Sequence, residues 1–370
     1  MSKSAIIPGP AGITLLVMLL LVAWVITSEG GDPMALVQVG TQYSEGDPDG
    51  TQGYDGQFGY YIARDPNPKT VAPLIDNPPY RYQRILLPLL GRVLSFGNPA
   101  MIPWALAGIG VASHTAGTWV FVRLLEAYKV NRWYGLVYGL WAGFLLAVRL
   151  DLPEPLAYTL VGGAILLRKR NHPRAGWALY ALALFAKEVT ILFLAAQLLV
   201  DLWHRRWRDF FGLFAAGVVP FGVFQLWLWH TFGRPGIGSG GAMSTPFEWI
   251  PFWGLLRIGN FSVVLLLVFT LVFGPFVFYP ALWGVWVSGR RWLRGQREFA
   301  NAALLLNGAI IPFLPFSTIR EPGGMLRLAT GLVMATLLYA ARYRSRRVLN
   351  YSVFWLFYNA IVVAEWVWGT

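Results

Sequence analysis

Residues 11–27 read AGITLLVMLLLVAWVIT, an apolar run without a charged residue. A helix of such residues is close to the length needed to cross roughly 30 Å of hydrocarbon. Similar apolar runs recur along the rest of the chain. We interpret the first run as a retained signal anchor rather than a cleaved signal peptide, because the flanking residues 28–32 (SEGGD) give only a weak cleavage pattern.

The composition points to the same class of protein. Of the 370 residues, 56% are hydrophobic and 13% are charged, whereas a soluble domain carries about 25% charged residues. The sequence therefore predicts an all-α polytopic membrane protein, with residues 1–370 forming a single transmembrane domain. The absence of cysteine excludes disulfides and thiolate metal sites. The net charge of +12 fits cytoplasmic loops that contact anionic lipid, so we expect the lipid bilayer, and not nucleic acid, as a partner.

The apolar runs predict about eleven membrane spans, within a range of ten to twelve. Three of them, 152–167, 174–187 and 188–203, are short, so we expect them to be tilted or to line a cavity as partial spans. The segment 84–96 is apolar but too short to cross, and we expect it at the outer membrane interface. The predicted spans are 11–27, 101–125, 133–149, 152–167, 174–187, 188–203, 209–232, 260–288, 299–316, 325–341 and 350–368.

Four clusters of basic residues orient these spans. With the N-terminus in the cytoplasm, all four clusters fall on the cytoplasmic side, as the positive-inside rule requires. We therefore expect a multi-pass protein of the inner (plasma) membrane, with a long outer loop at 28–83 and a second outer loop at 233–259. The clusters occupy residues 168–174, 205–208, 290–297 and 342–347.

The first outer loop contains a polar and aromatic stretch, GYDGQFGYYIARDP, at residues 53–66. Long loops without an obvious fold are usually functional or disordered, and aromatic residues argue against disorder. We single out Asp55 as the candidate functional residue of this loop. For the other aspartates near Gly or Pro, a role in a turn is the default interpretation. These are Asp47, Asp49, Asp65 and Asp76.

Ionisable residues also interrupt three apolar segments at the outer ends of predicted helices. Such groups are costly at membrane depth and tend to face a cavity, paired with one another. Together with Asp55 they predict a polar cavity that opens outward, with loop 28–83 as its wall or lid. For the first two segments, a solvated turn or a structural ion pair is an equally good interpretation. The residues are Arg149, Asp151 and Glu154 in the first segment, Lys187 and Glu188 in the second, and Arg320, Glu321 and Arg327 in the third.

The sequence gives little sign of a metal site. Its four histidines are scattered and form no HExxH or similar ligand spacing. Asp47, Asp49 and Asp55 could gather a hard cation through oxygen ligands, but their spacing does not match a calcium-binding loop. We therefore expect no metal and no cofactor, with a divalent cation as the less favoured alternative.

The segment around Asp55 resembles the WDGxxYxxIA pattern of GPI mannosyltransferase-like proteins, which belong to the GT-C superfamily of integral membrane glycosyltransferases. Here the segment reads YDGQFGYYIA at residues 54–63. Tyr54 replaces the tryptophan, and the spacing from the acid to the tyrosine is one residue longer. RILLPLL at residues 84–90 takes the place of the apolar FFPLYPLL stretch of the family. The paired short helices around Lys187 also resemble the superfamily, and the resemblance covers residues 10–200.

This resemblance implies a GT-C-like fold and the transfer of a sugar from a polyprenyl-phosphate carrier to an acceptor. The sugar would be a hexose such as mannose, and the transfer would occur on the outer face with inversion at the anomeric carbon. Such chemistry needs a base near the acceptor hydroxyl and cations near the leaving phosphate. We assign Asp55 as the base. Arg320 and Arg149 are the first candidates for the phosphate, followed by Lys187 and Arg327.

Two further sets complete the predicted substrate-binding residues. Three carboxylates would orient the cations, and residues of the 53–66 stretch would contact the sugar. An interfacial aromatic belt explains the tyrosines of that stretch equally well. The residues are Glu154, Glu188 and Glu321 in the first set, and Tyr54, Gln57, Tyr60 and Tyr61 in the second.

Two other classes of function remain open. A transporter or flippase of a polar lipid or solute would use the same intramembrane charges, but it is expected to contain an internal repeat of spans. The long first outer loop has no counterpart in the second half of the sequence. A non-catalytic subunit of an envelope complex would pair the outer acids and bases with one another and leave no cavity.

Overall fold

The computed structural model describes residues 9–360, 362 and 363, and within these residues the chain is helical without any β-strand. Five helices in this part of the chain are long and apolar enough to cross a membrane. The prediction of an all-helical membrane protein is confirmed to that extent. The five helices are Pro10–Ser28, Ile102–Ala127, Trp207–Phe232, Val263–Leu293 and Pro322–Arg342.

The α-helices are numbered in chain order. The first eight are α1 (Pro10–Ser28), α2 (Met34–Val37), α3 (Thr41–Ser44), α4 (Gly56–Arg64), α5 (Pro68–Val71), α6 (Pro78–Tyr82), α7 (Leu86–Leu94) and α8 (Ile102–Ala127). The next eight are α9 (Gly135–Gly139), α10 (Ala142–Arg149), α11 (Glu154–Lys169), α12 (Pro173–Ala186), α13 (Ile191–Trp203), α14 (Trp207–Leu213), α15 (Val219–Phe232) and α16 (Trp253–Leu256). The remaining helices are α17 (Val263–Phe273), α18 (Tyr279–Leu293), α19 (Phe299–Ala309), α20 (Phe316–Arg320), α21 (Pro322–Leu328), α22 (Thr330–Arg342) and α23 (Arg346–Ser352).

Two of the long helices contain a π-helical turn. Phe214–Val218 joins α14 to α15, and Gly274–Phe278 joins α17 to α18. A proline follows each π-turn, at Pro220 and Pro280. Because proline cannot donate a backbone hydrogen bond, these wide turns are where the helix accommodates it.

The long helices differ in how much of their surface the protein covers. The continuous helix α21–α22 has 89% of its most apolar window buried, against 28% for α1, 28% for α14–α15 and 22% for α17–α18. A helix that is apolar all round belongs either in a core or against lipid. We therefore describe α22, which packs against α8, α18 and α19, as the central helix, while the other three present apolar side chains outward.

The other six predicted spans are shorter or interrupted. Span 133–149 is broken between α9 and α10, and span 299–316 is α19 followed by a 3-10 turn. Helices α11, α12 and α13 have 16, 14 and 13 residues, fewer than the roughly 20 that cross a bilayer. Span 350–368 lies partly outside the described residues. The count of eleven spans therefore stays a prediction.

Loop 28–83 folds into the short helices α2 to α6 around an apolar cluster of its own. Phe58, Ile62 and Tyr82 are buried in this cluster, and Leu228 of α15 packs into it. The aromatic residues of the loop thus form its core. The following helix α7 packs against α4 and α8 and leaves the hydrophobic side chains at its C-terminal end exposed. The location of segment 84–96 at the membrane interface stays a prediction.

Loop 233–259, the second of the predicted outer loops, is held against loop 28–83. The backbone N–H groups of Gly236 and Ile237 donate to the Gln225 side chain of α15 at 2.8 and 2.9 Å. The N–H of Ala242 donates to the Asp76 carboxylate of the first loop at 2.9 Å. Both loops therefore meet over one end of the helical core, and this is where the predicted site residues lie.

Candidate functional site

Asp55 stands at the start of α4, where its carboxylate makes no capping hydrogen bond to the helix. One oxygen lies 2.9 Å from a guanidinium nitrogen of Arg81, in loop 28–83. The other lies 3.6 Å from a guanidinium nitrogen of Arg327, in α21. The Asp55 side chain is 30% exposed. It therefore links the loop to the helical core and keeps a face open to solvent.

Gly56 explains how Asp55 reaches this position. A Cβ atom on Gly56 would lie 2.3 Å from the carbonyl oxygen of Leu150, in the turn between α10 and α11. Only glycine permits such a close backbone approach. The Asp-Gly pair thus sets the first turn of α4 directly against the turn that carries Asp151.

Arg81 is fixed from several sides. Its Nε and Nη2 atoms each lie 2.8 Å from the carboxylate of Asp76, a bidentate pair. Its guanidinium also lies 4.3 Å from the ring centroid of Phe58. These contacts, together with a side chain that is only 7% exposed, fix the orientation of the Arg81 guanidinium toward Asp55.

A second arginine, Arg84, directly follows loop 28–83 and forms a bidentate pair with Glu188 at 2.6 and 2.8 Å. It also donates to the hydroxyl of Tyr80 at 2.6 Å. This pair connects the end of loop 28–83 to the 3-10 turn Glu188–Thr190 that precedes α13.

The core side of the site contains a buried ion pair. The amine of Lys187 lies 2.5 Å from Glu154 Oε1, and both side chains are buried. Arg327 lies 3.9 Å from the same carboxylate. Glu321, 4.0 Å from Arg327, accepts a hydrogen bond from the hydroxyl of Tyr54. Arg327 thus lies among three carboxylates, those of Asp55, Glu154 and Glu321.

We refer to these side chains together as the acid–base network. The prediction that separate chain segments bring acids and bases to one place holds for the segments of Asp55, Glu154, Lys187 and Arg327. The full set is Tyr54, Asp55, Asp76, Arg81, Arg84, Glu154, Lys187, Glu188, Glu321 and Arg327.

The network sets the protonation of its loop residues. Burial alone raises the pKa of Asp55, but the positive charges of Arg81 and Arg327 outweigh burial and hold the pKa below its usual value. Burial raises the pKa of the Tyr54 hydroxyl. Asp55 is therefore ionised and Tyr54 neutral at physiological pH.

A small cavity of about 40 Å³ lies beside Asp55. Such a volume holds a few water molecules at most. In this form of the protein, the site has the charges for an anionic ligand but not the room for a large one. The lining residues are Asp55, Phe58, Gly59, Arg81, Arg84, Leu87, Pro88, Asp151, Leu152 and Pro153.

Asp151 lines the same cavity and differs from the other acids. It is buried, and neither carboxylate oxygen has a hydrogen-bond partner among the described residues. Its backbone is in the left-handed region, with φ at 50°, which few residues adopt and which aspartate tolerates better than most. The interpretation of this residue as part of a solvated turn or an ion pair is wrong. Burial raises its pKa well above the usual value, and Arg149 offsets only part of that rise.

We expect the substitution Asp151→Asn to stabilise the protein, and more so as the pH rises. Because the folded-state pKa is raised, the unfolded chain loses the proton first, so wild-type stability falls as the pH rises above about 4. Asparagine has no proton to lose and also tolerates left-handed backbone. Thermal unfolding in detergent should show the variant's advantage widening between pH 5 and pH 8.

The exposed loop residue Asp49 provides the matched control, and Asp49→Asn should leave the pH dependence unchanged. An advantage of Asp151→Asn that is equal at both pH values would mean that this carboxyl ionises alike in the folded and unfolded chains.

Several predicted site residues lie outside the network. Arg149 donates to the backbone carbonyl of Ala35 at 2.9 Å. Arg320 is exposed, with its guanidinium 5.8 Å from the ring centroid of Phe316. The structure therefore does not bring the two first phosphate candidates to Asp55.

Three residues of the 53–66 stretch serve the loop itself. Gln57 is fully buried and bonds the backbone N–H of Gly40 at 3.1 Å and the carbonyl of Gln52 at 2.7 Å. Tyr60 and Tyr61 pack in or against the apolar cluster of the loop. Of the predicted sugar-contacting set, only Tyr54 joins the network.

Sequence reasoning missed Arg81 and Arg84. Both lie in the segment PPYRYQR at residues 78–84, which has the prolines of a surface loop. The available signal was the spacing of two arginines by three residues, with a tyrosine directly before Arg81. That spacing places them on one side of a helical turn.

The described residues contain no group of three or more His, Asp or Glu side chains that could hold a metal ion. His114, one of the four histidines, is buried and bonds the carbonyl oxygen of Gly139 at 2.8 Å. The expectation that no metal takes part stays a prediction.

No protein-family model, curated protein or solved structure matches the chain. Any function assigned to the chain therefore rests on the network, the cavity and the motif resemblance of residues 54–63.

Proposed function

We propose that this protein is an integral membrane glycosyltransferase of the GT-C type. It would transfer a hexose, such as mannose, from a polyprenyl-phosphate carrier to an acceptor, with inversion at the anomeric carbon. The observation that carries the proposal is the position of Asp55, a partly exposed carboxylate at a cavity between the guanidinium groups of Arg81 and Arg327. A base and phosphate-binding cations are the two things that this reaction requires.

The proposal places the network on the outer face of the inner membrane, in a protein of eleven spans with a cytoplasmic N-terminus. Helix α11 begins at Glu154, in the network, and ends at Lys169, in a basic cluster. Its 16 residues rise roughly 24 Å, which approaches the thickness of the hydrocarbon layer. The continuous helix of α21 and α22 likewise begins at Pro322, next to Glu321 of the network, and ends at Arg342. The acid–base network and two basic clusters thus lie at opposite ends of the same helices, which supports this orientation.

The donor phosphate would bind to Arg81 and Arg327. Both guanidinium groups already hold a carboxylate, that of Asp55, and a phosphate oxygen is a similar ligand for them. Arg84 and Lys187 add positive charge nearby. We therefore prefer these four cations over Arg149 and Arg320, which lie outside the network.

Replacement of the Asp55 carboxylate by the donor phosphate on these guanidinium groups would also make Asp55 a competent base. While its carboxylate is paired with two guanidinium groups, its low pKa makes it a weak base. Once the donor phosphate takes over those groups, the pKa of Asp55 rises toward the usual range. Asp55 then accepts the proton of the acceptor hydroxyl as the hydroxyl oxygen attacks the anomeric carbon. The bond from that carbon to the phosphate oxygen breaks, and the polyprenyl phosphate leaves with the electron pair.

Binding of a donor requires loop 28–83 to move. The cavity of about 40 Å³ is too small for a hexose. Two contacts attach this part of the loop to α21 and the residue before it, namely Asp55 to Arg327 and Tyr54 to Glu321. A donor phosphate that displaces Asp55 would break the first of them, so binding and opening would be coupled.

One observation favours a second candidate function. The acids and bases of the network are paired with one another, as expected for a non-catalytic membrane subunit whose charges only brace the outer loop. That alternative gives no role to the open face of Asp55 or to the unpartnered carboxylate of Asp151 at the cavity. We therefore prefer the enzyme.

The experiment that tests the proposal is native mass spectrometry of the purified protein with an added polyprenyl-phosphate hexose. We expect wild type to retain the donor and Arg81→Gln to lose roughly tenfold or more in affinity, since a hydrogen bond to a charged group contributes about 1.5–3 kcal/mol. Arg320→Gln, which alters an exposed arginine outside the network, should bind like wild type.

Each opposite result has a definite meaning. If Arg320→Gln loses the donor and Arg81→Gln keeps it, the phosphate site lies at α20 and not at Asp55. If wild type retains no lipid-linked sugar at any donor concentration, the enzyme is ruled out, and the subunit and transporter alternatives take its place. Thermal unfolding of each variant shows that a loss of binding is not a loss of folding.

A further inference from the structure

A second polar cavity, of about 650 Å³, opens at the other end of the helical core. It lies where α8, α11 and α22 end, and residues that directly follow α8 and α22 help to complete it. We call it the basic cleft. Its lining residues are Ala127, Tyr128, Lys169, Arg342, Tyr343 and Arg344.

Of the three cations of the basic cleft, only one is paired with a carboxylate among the described residues. Arg342 forms a bidentate pair with Glu298, with both distances at 2.6 Å. Among the described residues, neither Lys169 nor Arg344 has a carboxylate within 4.0 Å. Lys169 instead lies 4.0 Å from the ring centroid of Tyr128, and Arg344 donates to the carbonyl of Tyr128 at 3.1 Å. Two positive charges thus face one opening without a negative partner.

The charges also act on one another. Burial lowers the pKa of the Lys169 amine, and the nearby positive charge of Arg342 lowers it further. A bound anion would offset the repulsion between the positive charges of Lys169 and Arg342. The cleft is therefore suited to a ligand with negative charge.

The depth of the cleft indicates which anion it meets. Lys169 is the last residue of α11, roughly 24 Å along a 16-residue helix from Glu154. Arg342, which also lines the cleft, is the last residue of the 21-residue helix Pro322–Arg342, which is long enough to cross a membrane and therefore places the cleft near the headgroups of one face. Basic pockets between membrane helices at that level are suited to phosphate-bearing headgroups.

We propose that the basic cleft binds a phosphate group, supplied by the headgroup of an anionic membrane lipid. Lys169 and Arg344 would contact the phosphate, and Arg342, oriented by Glu298, would add long-range attraction. Tyr128 and Tyr343 flank the opening, as aromatic side chains do at the membrane interface. This site is separate from the acid–base network and does not depend on what the network does.

The test uses the full-length protein in neutral detergent and follows its thermal unfolding. The probes are phosphatidylglycerol, phosphatidylcholine and inorganic phosphate, each titrated separately. A ligand that binds only the folded state raises the unfolding midpoint with concentration. We expect phosphatidylglycerol to raise the midpoint of wild type, with phosphatidylcholine much weaker.

The variant K169Q/R344Q should need roughly tenfold or more phosphatidylglycerol for the same rise, since two charge-assisted hydrogen bonds are lost. The matched control is R346Q/R347Q, which removes two exposed arginines next to the cleft and should titrate like wild type.

The separate titrations distinguish a lipid headgroup from free phosphate as the ligand of the cleft. A response to inorganic phosphate as strong as that to the lipid, and lost in K169Q/R344Q, supports the phosphate site but assigns it to a free anion. An equal loss in R346Q/R347Q would overturn the proposal in favour of diffuse surface charge. A wild-type midpoint that no phosphate-bearing probe raises would also overturn it.

Discussion

Replacement of Asp55 by asparagine is expected to reduce sugar transfer at least a hundredfold while the protein still folds and binds its donor. A positioned general base contributes about 10²–10⁴-fold, and asparagine keeps the size of the side chain but cannot accept the proton. Its amide also no longer competes with phosphate for the guanidinium groups of Arg81 and Arg327. The measurement is the initial rate of transfer from a polyprenyl-phosphate hexose, with donor retention recorded on the same preparations by native mass spectrometry.

The matched control for this substitution is Asp49→Asn, in the same outer loop but exposed and outside the network. It should transfer sugar at the wild-type rate. A variant Asp55→Asn that holds the donor and accumulates it, without turnover, would support the assignment of the base. Undiminished transfer by Asp55→Asn would show that another group accepts the proton, with Asp151 as the next candidate at the cavity.

The second large effect is expected from the buried pair of Glu154 and Lys187. Removing one member of a buried ion pair leaves the other charge without compensation, at a cost of about 3–5 kcal/mol. We therefore expect Glu154→Gln and Lys187→Met each to lower the unfolding midpoint strongly. The double variant should recover much of the loss, because no uncompensated charge of the pair remains.

Thermal unfolding of the four proteins of this double-mutant cycle measures the coupling directly. An exposed pair in α8, Arg123 and Glu126 at 3.0 Å, gives the control, since surface ion pairs contribute little. A double variant as unstable as the single ones would mean that Glu154 is needed mainly by Arg327, which lies 3.9 Å away, and not by Lys187.

The convergence of charges could be predicted from the sequence because its cause is general. A charged carboxylate or amine inside an apolar run is too costly to leave unpaired, so Glu154, Lys187 and Arg327 had to find partners. Asp151 has no hydrogen-bond partner among the described residues, and its raised pKa favours the neutral form instead. The same argument could not name those partners. Hydropathy places a residue along a helix but does not give the direction of its side chain. For that reason Arg149 and Arg320 ranked first as phosphate candidates, although neither joins the network.

The outer loop was harder to predict than the spans. Its short helices depend on prolines and on contacts with α15 and the second loop, which no local pattern records. Arg81 was therefore not singled out within the loop, and Arg84 was predicted only as the start of the interfacial segment 84–96. Tyr60 and Tyr61 were predicted to contact the sugar or to belong to an interfacial aromatic belt, whereas they pack in or against the core of the loop. The Asp55-Gly56 pair was visible in the sequence, but its reason, the close approach to the Leu150 carbonyl, is a tertiary contact.

The contrast between the central helix and the peripheral ones has a consequence for how the protein can change over evolutionary time. Lipid chains are as apolar as leucine, so a substitution of one hydrophobic residue by another on the outward face of α17–α18 leaves no cavity behind. On the helix α21–α22, with 89% of its most apolar window covered by protein, the same substitution creates a void or a clash that typically costs about 1–5 kcal/mol. Purifying selection should therefore act weakly on Val263–Leu293 and strongly on Pro322–Arg342, the helix that carries Arg327.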